Sequence, residues 1–399
     1  MFHGEMDMRL FQPPYPSDDP GSPALLTTPE RTNAATAYTG RGVVVAFIDS
    51  GFYMHPDLAG RVLVHVDAST QHIVEQPDVA TVDDLSWHGQ MTSVIACGNG
   101  VSSGGRYRAI ASDAQLVLIK VSSPRGHVKE RDILRGLRWL IDAGGKYNVR
   151  AVNLSVGGDD ISHDPEHPLH WAVRRLTEMG ITVVAASGNR GAGEIFPPAS
   201  APEAIVIGGY DDANSRDRSR RTMFHSNYGM AHDGTHKPDV LAPARWIASP
   251  ILPGSVVDRE AYWLGPLLMT ESERALKRLL HGGFGDLSIA RDQAMHPDAN
   301  LYAMLQARIN GHKLIDSRHQ HVDGTSVSAA IATSVVAQMI EANPFLTPGE
   351  IRSILMETAC PLPDVPSAQQ GAGMIEAGRA VELALHKLSL THSGSPKAN

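Results

Sequence analysis

The chain has 399 residues, of which 42% are hydrophobic and 20% charged, and its formal net charge is -8. These proportions fit a globular protein with a sizeable core and exclude wholesale disorder. The negative balance offers phosphate backbones nothing to bind, and no window approaches the roughly eighteen apolar residues of a membrane span, so neither nucleic acid nor membrane is an expected partner. The N-terminus, with Glu5, Asp7 and Arg9, lacks the basic-then-apolar order of a signal peptide, which makes the cytoplasm the expected compartment. Cys97 and Cys360 are the only cysteines, too few for a disulfide scaffold or a thiolate metal site.

Residues 1–40 are rich in Pro, Ser and Thr, and Pro13, Pro14, Pro16, Pro20 and Pro23 work against regular structure, so an extended arm is expected there. A single domain should follow over 41–388. Short β-branched runs at 43–48, 116–121, 151–156, 181–186 and 204–207 read as strands buried on both faces. Ile95, Ala96 and Cys97 lie in an apolar, helical stretch, with Cys97 as core. Ile133, Leu134, Leu137, Leu140 and Ile141 recur at helical spacing before the third strand, and Leu169, Val173 and Leu176 before the fourth. This alternation predicts an α/β fold of three layers: a doubly wound, mostly parallel sheet with helices on both faces.

From about 251 to 321 the strand pattern stops. A helix opened by a capping box at Thr270 and Glu273 carries Leu276, Leu279 and Leu280, and a second carries Leu301, Met304, Leu305 and Ile309. Five histidines in this insertion, His281, His296, His312, His319 and His321, match no ligand spacing and are expected on the surface, with no metal. After the insertion, helices are predicted at 327–341, at 351–358 behind a Thr347/Glu350 capping box with Pro348, and at 374–386. A polar, flexible tail is expected over 389–399.

Four positions carry chemistry. Asp49 ends the first strand ahead of Ser50 and Gly51, at the carboxyl edge where open α/β sheets place their sites. His88 and Gly89 open a helix. Asn189 follows the fourth strand, in the run Ala186, Ser187, Gly188, and could donate its amide N–H to a developing oxyanion. Ser326 precedes a helix, where an unpaired backbone N–H and the helix dipole favour negative charge, although a serine there also serves as a helix cap. Each signal alone is ambiguous.

Together they resemble the subtilisin family of serine peptidases over roughly residues 40–250 and 320–385. The stretch 45–51 with His55, Pro56, Asp57 and Leu58 resembles the family's aspartate motif, and His88-Gly89 its histidine motif. Asn153, Leu154, Ser155, Val156, Gly157 and Gly158 resemble its substrate-binding strand, and Gly324-Thr325-Ser326 its serine motif. Ser226-Asn227-Tyr228-Gly229, Lys237-Pro238-Asp239-Val240 with Ala242-Pro243, and Gly371-Ala372-Gly373 are similar to lesser landmarks. Two stretches depart from the pattern. Gln90, Met91, Thr92, Ser93 and Val94 follow His88-Gly89 where the family has Thr-His-Val-Ala-Gly, and Val327, Ser328, Ala329 and Ala330 replace its Met-Ala-x-Pro.

The resemblance implies a serine endopeptidase acting on peptides or proteins, with Ser326 as nucleophile, His88 as general base, Asp49 orienting the histidine and Asn189 holding the oxyanion. A dedicated processing peptidase or transamidase for one partner peptide is the alternative, with an inactive peptide-binding relative behind it. Leu154, Ser155, Val156, Gly157 and Gly158 are expected to pair with the substrate backbone. Ala186, Ser187 and Gly188 should wall the first side-chain pocket, with Glu194 favouring a basic residue there or Ile195 an apolar one. No cofactor is required. Structural Ca2+ occurs in the family, but the stretch 98–105 offers only Asn99 as a side-chain amide. The arm shows no folded prodomain, and the 251–321 insertion is expected to act as a lid or docking element.

Overall fold

The structure, a computed structural model, describes residues 9–19, 24–76, 85–123, 125–191 and 193–393, with side chains through residue 390. The predicted strands are there with bounds shifted by a residue or two, except that the fifth runs four residues further, to Asp211, and other strands join them. In chain order they are β1 (Val44–Asp49), β2 (Val62–Asp67), β3 (Val74–Gln76), β4 (Gln115–Lys120), β5 (Val149–Leu154), β6 (Thr182–Ala186) and β7 (Ile205–Asp211). There follow β8 (Thr222–Met223), β9 (Gly229–Met230), β10 (His236–Lys237), β11 (Val240–Pro243), β12 (Ile247–Pro250) and β13 (His319–Val322). The main sheet runs β11-β7-β6-β5-β1-β4-β2-β3, with β8 on β7. Its ladders are parallel except those of β3 and β8.

The helices are α1 (Thr28–Thr32), α2 (Ser86–Cys97), α3 (Glu130–Ala143), α4 (Pro168–Glu178), α5 (Val256–Leu267), α6 (Glu273–Gly283), α7 (Arg291–Met295), α8 (Ala299–Gly311), α9 (Thr325–Ala342), α10 (Pro348–Thr358), α11 (Ser367–Gln370) and α12 (Ala377–Ser393). Strand periodicity sorts β1 between two cores. Val45 and Phe47 pack with α2, α9 and α12 on one face, while Val44, Ala46 and Ile48 pack with α3 and α4 on the other. The helix α9 is long and apolar enough to cross a membrane, yet it is buried against the sheet as a core helix. The fold is the three-layer α/β architecture the alternation predicts.

Several expectations are corrected. The 1–40 arm is not merely extended: Thr27 and Glu30 form a capping box that opens α1, and Arg31 of that helix is buried in an ion pair with Asp212. The strand expected over 151–156 ends at Leu154, so Ser155 and Val156 lie beyond its last rung. The insertion holds four helices, not two, and α6 is capped by Ser272; the Thr270 hydroxyl instead donates to the Pro266 carbonyl. Its ends are strands, β12 and β13, which pair antiparallel. They read poorly from sequence because each is only four residues long and interrupted by Pro, Gln or His. His319 and His321 lie on β13 and are buried, not on the surface. The last helix begins at Ala377 and continues to Ser393, so the first part of the expected tail is helical; 394–399 lie outside the described residues.

Candidate active site

β1 lies at the centre of the sheet, with β4 on one side and β5 on the other, and Asp49 is its last residue. Consecutive sheet strands diverging around one neighbour open a crevice at their carboxyl ends. The Asp49 side chain is fully buried and its oxygens are satisfied. Oδ1 accepts from the Ser50 N–H at 2.7 Å and lies 2.6 Å from His88 Nδ1, while Oδ2 accepts from Thr92 Oγ1 at 3.0 Å. Without such partners a buried carboxylate is strongly disfavoured.

His88 sits in the first turn of α2. A Cβ on the next residue, Gly89, would stand 2.0 Å from the Gly51 carbonyl oxygen, so only glycine lets this turn press onto the loop after β1. That contact brings the histidine onto the aspartate. Nδ1 must donate to the carboxylate, which leaves Nε2 as the basic nitrogen of the neutral ring. Burial disfavours the imidazolium, but attraction and hydrogen bonding from Asp49 outweigh it, and His88 titrates above the ordinary histidine value.

Ser326 is the second residue of α9, and the helix cap is Gly324 at φ 137°, a conformation strained for any L-residue. Ser326 is therefore inside the first turn and is not the cap. Its amide belongs to the turn whose N–H groups have no intrahelical acceptor, and no described residue accepts from it. Asn189 is fixed beside it. Asn189 Oδ1 accepts from the Thr325 N–H at 2.8 Å and the Thr325 hydroxyl at 3.0 Å, and that hydroxyl accepts from Gly188 N–H at 3.1 Å. With the oxygen end occupied, the Nδ2 end is the one presented to a ligand.

Asn189, Thr325 and Ser326 border a cleft of about 240 Å3. Ser155, Val156, Gly157, Gly158, Ala186, Ser187 and Gly188 line it. Leu154 and Ile195 do not: both are buried in the core on the α3 and α4 side. Glu194 is exposed outside the lining, and its carbonyl accepts from Asn227 Nδ2 at 3.0 Å. Phe196, Ala199, Asp159 and Arg190 line the cleft in their place, with the Arg190 guanidinium 5.4 Å from the centre of the Phe196 ring. The sequence points to Glu194 and Ile195, whereas Phe196 is the side chain of this stretch that lines the cleft. Thr325 carried a readable signal, lying between the cap and the serine.

The backbone beyond β5 is tied to α9, the helix that carries Ser326. Asn153 Nδ2 donates to Ser155 Oγ at 3.0 Å, Ser155 Oγ donates to the Ser326 carbonyl at 3.3 Å, and Thr333 of α9 donates to Asn153 Oδ1 at 3.1 Å. Ser326 and His88 make no hydrogen bond with each other; the histidine's contact is with Asp49. None of the residues lining the cleft comes from the insertion, so the expected lid does not form part of this pocket.

The model of the Subtilase family matches residues 40–374. The chain belongs to this family. Subtilases are serine-type endopeptidases, and that reaction class comes with membership. Among the subtilase relatives, serine protease AprX of Bacillus subtilis (strain 168) is 28% identical over 355 residues, which cover 86% of this chain and 67% of that protein. Subtilisin Savinase of Lederbergia lenta is 34% identical over 183 residues, 45% of this chain and 59% of that protein. The chain thus spans less than two thirds of some curated relatives. Two solved structures share the subtilase fold. A protease of Pseudoalteromonas arctica PAMC 21717 superposes with a TM-score of 0.59 at 21% identity, covering 90% of this chain and 94% of that one. Fervidolysin from Fervidobacterium pennivorans gives 0.58 at 20% identity, covering 87% of this chain and 43% of that one.

Proposed function

We propose that Ser326 is the nucleophile of an endopeptidase in which His88 is the general base and Asp49 its orienting partner. The Ser326 hydroxyl oxygen bonds to the scissile carbonyl carbon as its proton passes to His88 Nε2. Asn189 Nδ2 and the Ser326 N–H hold the resulting oxyanion. His88 then delivers the proton to the leaving amine as the C–N bond breaks, and water releases the acyl group by the same route. Asp49 keeps the imidazole in the required tautomer and stabilises its cation.

The observation that carries this reading is the paired fixing of the two halves: His88 by Asp49 at 2.6 Å, and Asn189 by Thr325 beside Ser326. Kinetics on a peptide anilide test it. Ser326→Ala should lose at least about 10,000-fold in kcat. Asn189→Ala should lose about 100- to 1,000-fold with little change in KM, the range known for such an amide in this family. Retention of turnover by the serine variant would end the proposal.

The substrate backbone would add as a strand along residues 155–157, past the last β5 rung, and place one side chain in the cleft. One cation, Arg190, and one anion, Asp159, flank an otherwise uncharged lining, so Phe196, Val156 and Ala199 would favour an apolar residue. Peptide-library profiling should return that preference, unchanged in Glu194→Gln, because Glu194 stands outside the cleft.

A further inference from the structure

Both ends of the insertion attach to the turn of α2 that carries His88. At the entry, Gln90 Nε2 lies 3.5 Å from the Pro250 carbonyl, the last residue of β12. At the exit, the Gln320 carboxamide on β13 lies between two groups and satisfies both only with its oxygen 2.9 Å from Trp87 Nε1 and its nitrogen 3.3 Å from the His312 carbonyl. Ser249 and Gln320 face each other on one rung of the ribbon, and Pro250 faces His319 on the next. These contacts therefore lie on two adjacent rungs of the ribbon.

Each link continues in a definite direction. His312 caps the C-terminus of α8, and its Nε2 lies 2.8 Å from Glu260 on α5, so the carbonyl that holds Gln320 is anchored in the insertion's own helices. Trp87 precedes His88, and the two rings meet nearly edge to face with centroids 6.1 Å apart. Beyond Gln320, β13 leads through Asp323 and Gly324 into the first turn of α9. Gln90 is one of the positions at which this chain departs from the subtilase histidine motif. It is fully buried, and its Oε1 has no partner among the described residues. A polar side chain kept there at that cost is explained by its contact with the insertion.

We propose that Gln320 and Trp87 are positioning residues through which the helical insertion sets the orientation of His88. This rests on the reading of His88 as general base. The insertion then acts from behind the catalytic helix rather than across the cleft: it restrains the indole, and the indole restrains the imidazole against Asp49 and Ser326. An ångström of misplacement at a catalytic group costs up to about 100-fold in rate.

The test uses the full chain and the variants Trp87→Phe, which deletes only the indole N–H and the fused ring, Gln320→Met, the double variant, and Gln320→Glu. Initial rates on a peptide anilide, the second-order rate of phosphonylation by a fluorophosphonate, and thermal midpoints are measured for each. Trp87→Phe and Gln320→Met should each lower kcat and the phosphonylation rate about tenfold with KM within about twofold. The double variant should fall no further than the worse single one, since both break the same link. Gln320→Glu, which keeps an oxygen for the indole, should recover most of the loss.

Unchanged kcat in both single variants would overturn the proposal. So would losses that multiply in the double variant, or losses that merely follow a fall in the folded fraction at the assay temperature. Turnover surviving in Ser326→Ala would instead remove the underlying assignment, so the two failures are distinguishable.

Discussion

At the scale of single residues, the proposed chemistry turns on the charge state of His88. Its imidazole is held above the usual histidine range, with burial opposed and outweighed by Asp49, and only the neutral ring can take the serine proton. Activity should therefore fall as pH drops through a midpoint above 6.5, read as the acid limb of kcat/KM. Asp49→Asn should move that midpoint down and cost about 1,000-fold or more in kcat. For stability the sign is reversed: the pair's contribution is complete below the unfolded value near 6.5 and disappears as pH rises through the higher folded value. The four candidate positions were legible as a set because each lies at or just beyond a strand end or at a helix start, with a glycine within one or two residues. The pocket was not, because alternation fails in the loop 191–197: Ile195 turns into the core, Glu194 turns out, and Phe196 faces the cleft.

At the scale of elements, sequence patterning was clearest where a run was apolar on both faces. The buried strands of the parallel sheet stood out for that reason, and α3 because its apolar residues recur at helical spacing on one face. β2, β12 and β13 were lost because polar residues interrupt them: His65 in one, and His319, Gln320 and His321 in another. The order in the N-terminal arm was equally hidden among prolines. Phe11 is 1% exposed, packs in the insertion's core and stacks on Tyr302 with ring centroids 5.7 Å apart. The chain beside it is tied on both sides, by Leu10 N–H to the Thr270 carbonyl at 3.2 Å and by Gln12 to Gln306. Phe11→Ala should cost about 3 kcal/mol of local stability. Limited proteolysis by an added protease of an inactivated chain should then cut first between residues 9 and 19; an unchanged cleavage pattern would show that the arm is held elsewhere.

At the scale of the whole molecule, three buried histidines contribute to the response to acid. Burial pushes His55, His65 and His321 each down to about 4, so each stays neutral in the fold and takes up a proton on unfolding. Stability contributed by the neutral rings is complete above about 6.5 and is lost as pH falls toward 4, by about 2 kcal/mol per histidine at pH 5. His65 is the simplest case, since neither ring nitrogen has a hydrogen-bond partner among the described residues. His65→Leu should raise the thermal midpoint, and by more at pH 5 than at pH 8; equal gains would exclude protonation as the cause. The described residues form three large hydrophobic clusters, two flanking the sheet and one inside the insertion, and a small fourth around Tyr210 and Leu241, with α2 between the sheet and the ribbon that carries the insertion.

The most direct test of the central assignment is the mass and position of the adduct formed with a fluorophosphonate. One phosphonyl group per chain is expected, on Ser326, formed at a rate that rises as His88 loses its proton and collapses in His88→Ala. A label on another residue, or a rate indifferent to His88, would contradict it.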